Sequence, residues 1–135
     1  MVNEALQNVL FDINEFKLPI FDVISADPER AIKDQLARGV DYFYIGATKD
    51  PIFRWTGDER RGKEGHSAKY TRMYLLAIEA KTDAARALEK QLITFGLHFA
   101  HCKNKRADSR GQRRGVNFLY LCVSDQWSED ILHGE

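Results

Sequence analysis

Apolar residues recur at spacings of three and four over residues 2–16, at Leu6, Val9, Leu10, Ile13 and Phe16. That period gathers them on one side of an amphipathic helix. Leu18 to Ser25 is apolar and β-branched and predicts a strand. Asp27-Pro28 then reads as a helix cap followed by proline at the first helical position, with Gly39 as the stop, so a short helix is expected over 28–38. Val40 to Thr48, aromatic and β-branched, predicts a second strand. Asp50-Pro51 repeats the cap-and-proline signal and opens a helix through Arg54 and Trp55.

Residues 57–69 are polar, contain Gly57, Gly62 and Gly65, and predict a loop. Arg72 to Glu79 reads as a buried strand. Thr82 or Asp83 is expected to cap a helix that carries Leu88, Leu92 and Phe95 on one face and stops at Gly96. A polar, basic loop is expected over 101–115 and a last strand over Val116 to Val123. Strands and helices interspersed with short connections predict one α+β domain over residues 1–135.

Composition narrows the class without changing that outline. A chain of 135 residues that is 44% hydrophobic has the size and apolar content for one packed core, which excludes a disordered chain. No run of about 18 apolar residues is present. The start Met1-Val2-Asn3-Glu4-Ala5 lacks the basic and apolar runs of a signal peptide. An intracellular protein, cytoplasmic or nuclear and without a membrane partner, is therefore expected. Two cysteines, Cys102 and Cys122, suit a reducing compartment.

Charge changes the picture more. Lys plus Arg number 20, Asp plus Glu 20, and the formal net charge is zero, which at face value argues against a polyanion partner. The charges are segregated, however. Residues 1–34 hold seven acids against three bases, residues 124–135 hold four acids and no Lys or Arg, and residues 35–123 hold seventeen bases against nine acids. An acidic head and an acidic tail flank a basic body, and the acidic ends are expected to restrain non-specific polyanion binding. The bases concentrate in two stretches. Arg60, Arg61 and Lys63 lie in one; Lys103, Lys105, Arg106, Arg110, Arg113 and Arg114 lie in the other, with Gly111 and Gly115 to let a phosphate chain approach.

The candidate chemistry gathers around four residues. Arg54 has the charge to neutralise phosphate oxygens as negative charge builds in a transition state. Glu89 has the hard oxygen donors to hold one divalent cation whose other ligands are water and phosphate. Tyr44, which opens the run Tyr44-Ile45-Gly46, carries a hydroxyl suited to proton transfer, and Asn104 is the fourth element, fifteen residues after Glu89. Each has a bland alternative: Tyr44 as a core tyrosine, Arg54 as a surface arginine, Glu89 as a solvated helix carboxylate paired with Arg86, His66 as an exposed loop residue, Asn104 as a turn residue. His98, His101 and Cys102 lack a fourth ligand at finger spacing, so no structural zinc is expected.

The order Tyr44-Ile45-Gly46, Arg54 ten residues after Tyr44, His66 twelve beyond that, Glu89 within AARALEKQLI and Asn104 fifteen later resembles the GIY-YIG nuclease superfamily over about 80 residues, Asp41 to Val123. The resemblance implies a small, mainly antiparallel three-stranded sheet flanked by helices, here with an extra N-terminal helix. It divides the chain into residues 1–39, a nuclease-like core 40–123 and the acidic tail 124–135. It implies Tyr44, Arg54, His66 and Glu89 as catalytic residues, Tyr42 and Asn104 as support, Mg²⁺ or Mn²⁺ on Glu89, and nucleic acid, DNA rather than RNA, as the substrate.

The family's first half-motif, Gly-Ile-Tyr, is expected about ten residues before Tyr44, where this chain has Ala31 to Asp34. Either Pro19–Val23 is the hairpin partner, with a helix inserted and Phe21 replacing the tyrosine, or Tyr42 takes part of that role. Ala47 stands where a lysine often follows, with Lys49 two further on, and Asp58 stands four after Arg54 where some members have histidine. The expected activity is metal-dependent phosphodiester hydrolysis of low or structure-based specificity, by a monomer or a homodimer. The alternative is a nucleic-acid-binding module of the same fold without catalysis.

Overall fold

A computed structural model describes residues 2–105 and 114–125 of the chain. The elements run α1 (Val2–Phe16), β1 (Ile20–Asp22), α2 (Pro28–Leu36), β2 (Tyr42–Thr48), α3 (Pro51–Thr56), β3 (Gly57–Asp58), β4 (Lys63–Glu64), β5 (Arg72–Glu79), α4 (Thr82–Gly96) and β6 (Asn117–Ser124). The local signals explain most starts. The Asp27 carboxylate accepts from the Arg30 N–H at 3.1 Å and Asp50 from the Phe53 N–H at 3.0 Å, with Pro28 and Pro51 opening the helices behind them. At α4 the cap position is Lys81, so Thr82 and Asp83 lie inside the first turn rather than capping it. There Asp83 sits at the positive end of the helix dipole.

The architecture is α+β, with one mixed sheet of four strands in the order β1-β5-β6-β2 and a two-stranded ribbon β3-β4. The expected three-stranded sheet is corrected to four strands: β5, β6 and β2 are antiparallel, and β1 pairs parallel to β5. The expected pairing of residues 19–23 with the Tyr44 strand is corrected. β2 pairs with β6 over its whole length, Tyr42↔Ser124 to Thr48↔Phe118, and its outer edge is covered by residues 101–104. No edge of β2 is left for β1, which lies two strands away with Phe21 against Tyr74. The stretch 57–69, expected as loop, holds the ribbon and two 3₁₀ turns at Glu59–Arg61 and His66–Ala68. Gly57 makes the ribbon possible: its φ is +82°, and its missing Cβ leaves room for the Gly65 backbone.

Helices cover both faces of the sheet. On one face Phe43, Ile45, Leu119, Leu121 and Val123 pack with Ala31 and Ile32 of α2 and with Leu92 and Ile93 of α4. On the other, Met73, Leu75, Phe118, Tyr120 and Cys122 pack with Ile13 of α1 and Trp55 of α3, with Tyr44 and Tyr70 half-buried at the rim. Alternation along β2 and β6 produces the two faces. The N-terminal helix thus lies over the sheet through Ile13, Leu6, Val9 and Leu10, while Phe16, expected on its apolar stripe, is 67% exposed at the last residue of the helix. The acidic tail begins inside the fold. Asp125 is buried and paired with the largely buried Arg72 guanidinium, and residues 126–135 lie outside the described residues.

Candidate active site

Tyr44 and Gly46 stand on the same face of β2, two residues apart, and Gly46 is the register partner of Tyr120 on β6. Gly46 has ordinary backbone angles, so its requirement is space. A Cβ there would meet the Tyr120 hydroxyl at 2.5 Å and the ring carbon behind it at 2.6 Å. The glycine of the Tyr-Ile-Gly run therefore makes room for a tyrosine contributed by the far end of the chain. Tyr120 is only 2% exposed, and its hydroxyl lies 2.8 Å from Nε2 of His66. The His66 ring in turn packs on Tyr44, with centroids 5.3 Å apart, and Tyr44 lies 6.4 Å from Tyr120. His66 is held there by the 3₁₀ turn that follows β4 and packs on α3.

Arg54 and Glu89 complete the cluster electrostatically. Burial raises the pKa of Tyr44; the Glu89 carboxylate raises it further and the Arg54 guanidinium lowers it. Burial also raises Tyr120 well above the ordinary tyrosine range, with the same two charges acting on it in the same opposite senses. Both tyrosines therefore keep their hydroxyl protons at neutral pH. Burial, then the positive charges of Arg54 and Lys69, lower the pKa of His66 to about 4, so its ring is neutral at pH 7. Tyr44, His66 and Tyr120 are thus in mutual contact, and the charges of Arg54 and Glu89 reach the two tyrosines.

The bland reading of Glu89 as a solvated carboxylate falls. Glu89 is 6% exposed, on the buried stripe of α4 that runs Ala85, Glu89, Leu92, Ile93 and Gly96, and α4 lies against β2. A carboxylate kept in such a stripe without a role is costly. Its charge acts on Tyr44 and on Tyr120. Among the described residues no three His, Cys, Asp or Glu gather into a cage. A single hard oxygen donor fits a magnesium-like cation that keeps several of its waters.

Asn104 and Tyr42 are engaged elsewhere. The Asn104 side chain accepts from the Ile45 N–H at 2.9 Å and donates to the Ile45 carbonyl at 2.8 Å, which seals the outer edge of β2 beside Tyr44. The Lys103 N–H donates to the Phe43 carbonyl at 2.7 Å and the Phe43 N–H to the His101 carbonyl at 3.0 Å, continuing that seal. The Tyr42 hydroxyl donates to the Lys69 carbonyl at 2.7 Å. Both residues thus fix the strand that carries Tyr44.

Of the basic residues, Arg60, Arg61 and Lys63 are exposed on the β3-β4 ribbon, which runs directly into His66, and Arg61 pairs with Asp58 at 3.6 Å. Lys103, Lys105 and Arg114 are also exposed. Arg106, Arg110, Arg113 and Gly111 lie outside the described residues. A groove of about 560 Å³ between α2 and α4 is lined by Glu29, Gln91 and His98 among others and shares no residue with the cluster.

No family model matches the chain, and no curated protein or solved structure matches it either. Two residues of the neighbourhood escaped sequence reasoning, Tyr120 and Tyr70. The signal for Tyr120 was a residue with a polar tip inside the otherwise apolar run Phe118 to Val123; Tyr70 had none.

Proposed function

We propose that the chain is a metal-dependent endonuclease of GIY-YIG type that hydrolyses phosphodiester bonds in DNA. The observation that carries the proposal is the contact of His66 with both Tyr44 and Tyr120, within reach of the charges of Arg54 and Glu89. Tyr120 fills the place that the resemblance leaves for the missing first tyrosine, since it comes from the antiparallel partner of the Tyr-Ile-Gly strand. A divalent cation on Glu89 supplies Lewis-acid stabilisation of the phosphate when bound.

The side chains divide the remaining work. Arg54, exposed on a capped helix, binds the phosphate and opposes the charge that grows on its oxygens. Neutral His66, oriented by the Tyr120 hydroxyl, receives the proton of the attacking water. As the new oxygen–phosphorus bond forms and the old one breaks, the Tyr44 hydroxyl, kept protonated by burial, donates to the departing oxygen. The ribbon bases Arg60 and Lys63 and the bases Lys103, Lys105 and Arg114 hold the backbone to either side.

The test is incubation of the full chain with single- and double-stranded DNA and RNA, in Mg²⁺, Mn²⁺ or EDTA, beside Glu89→Gln and Arg54→Ala. Metal-dependent cleavage that falls by a factor of about 10² or more in each variant is the expected result. Binding without cleavage of any substrate in either metal refutes it and leaves a binding module of the same fold.

A further inference from the structure

We propose that the surface running outward from the cluster along β2 is a binding subsite for the nucleotide next to the scissile phosphodiester, and that it accepts that nucleotide unpaired. The inference rests on the nuclease reading and adds a substrate class to it. The surface is an aromatic floor of three half-buried rings backed by buried Tyr120. His66 lies on Tyr120 with centroids 5.4 Å apart, His66 touches Tyr70 at 5.7 Å edge to face, and Tyr70 touches Tyr42 at 5.5 Å, again edge to face. Lys103 stands at one end, its Nζ 5.3 Å from the centre of the Tyr42 ring, and at the other the charge of Arg54 reaches Tyr44 and Tyr120.

The floor is rigid, as a subsite must be. Tyr42 is tied through its hydroxyl to the Lys69 carbonyl. Lys103 is tied through its N–H to the Phe43 carbonyl, and its neighbour Asn104 holds both backbone groups of Ile45. Tyr42 and Tyr44 share a face of β2 two residues apart, a rise of about 7 Å, which is close to one backbone repeat of an extended polynucleotide. A phosphate at Arg54 therefore places the next phosphate near Lys103, with its base over Tyr70, the half-buried ring between them. Aromatic rings bind a base by stacking, and a base inside a duplex already has both faces covered. The chemistry recognised is thus a strand with at least one unpaired nucleotide beside the cut.

The experiment measures anisotropy of a fluorescein-labelled oligothymidine and of a blunt duplex in EDTA, at several salt concentrations, with the full chain and with Tyr70→Leu, Tyr70→Phe and Lys103→Gln. The expected result is tighter binding of oligothymidine than of duplex and about tenfold weaker oligothymidine binding by Tyr70→Leu, restored by Tyr70→Phe. Lys103→Gln is expected to flatten the salt slope by about 0.7, the share of one phosphate contact on a single strand. Duplex bound as tightly as oligothymidine, or Tyr70→Leu binding oligothymidine like the natural chain, overturns the subsite. Expected binding without cleavage in Mg²⁺ or Mn²⁺ refutes the nuclease reading alone, and cleavage restricted to fully paired duplex refutes the subsite alone.

Discussion

Two stripes of side chains leave β6 in opposite directions and meet opposite surroundings. Leu119, Leu121 and Val123 enter the layer under α2 and α4, where they pack with Ile32, Phe43, Ile45, Leu92 and Ile93. Phe118, Tyr120 and Cys122 enter the layer under α1 and α3, where Tyr120 finds a histidine and a second tyrosine and feels the charge of Arg54. Both stripes are fully packed, so burial alone does not tell them apart. The first stripe supplies only stability. The second buries the Tyr120 hydroxyl against His66, and the space that hydroxyl needs is made by the absence of a side chain at Gly46.

The largest effect that sharpens this contrast is on stability. Leu121→Ala leaves a cavity in the aliphatic layer and is expected to cost about 2–5 kcal/mol in denaturant unfolding. Tyr120→Phe keeps the ring and loses one hydrogen bond, for about 0.5–1.5 kcal/mol. Equal losses in the two variants break the contrast.

Gly46→Ala comes next. Its Cβ meets the Tyr120 hydroxyl, so the ring must shift away from His66, at about 1–3 kcal/mol by the same unfolding measurement. The double variant Gly46→Ala with Tyr120→Leu is expected to recover part of that loss; no recovery places the clash elsewhere.

Asn104→Ala removes both bonds to Ile45 and leaves that edge of β2 open, for about 1–3 kcal/mol. Faster amide exchange at Ile45 is the readout that separates this edge from a general loss of stability.

The smallest effect is on pH dependence. His66 has a folded pKa of about 4 against 6.5 for an ordinary histidine, so the unfolded chain takes up a proton that the folded chain refuses. Its stabilisation is complete above pH 6.5 and is lost as pH falls from there toward about 4. His66→Gln is expected to remove that part of the slope in melting temperature against pH. Parallel slopes for the two proteins place His66 in water.

Much of the framework was legible in residue order. The period of α1, the Asp-Pro starts of α2 and α3, and the β-branched runs of β2, β5 and β6 all lie in local pattern, and local pattern is what periodicity reads. What was not legible is long-range. The partner of the Tyr44 strand follows it by more than seventy residues, and nothing near Tyr44 signals that β6 rather than residues 19–23 pairs with it. The bulk of the candidate site was readable, because Tyr44, Arg54, His66 and Glu89 keep spacings that a family resemblance uses. Tyr120 and Tyr70 were not, since a tyrosine in an apolar strand or beside a turn looks the same whether or not a histidine stands opposite. Asp125, counted in the sequence as tail charge, proved to be Arg72's buried partner, a pairing that charge counting cannot see.

The most direct measurement is single-turnover cleavage of a labelled single-stranded DNA in Mg²⁺ by the natural chain and by Tyr120→Phe, at a temperature where both are folded. The convergent site predicts metal-dependent cleavage by the natural chain and a loss of about a hundredfold in rate on removal of that one hydroxyl. Equal rates in the two proteins, or no hydrolysis by the natural chain, contradicts it.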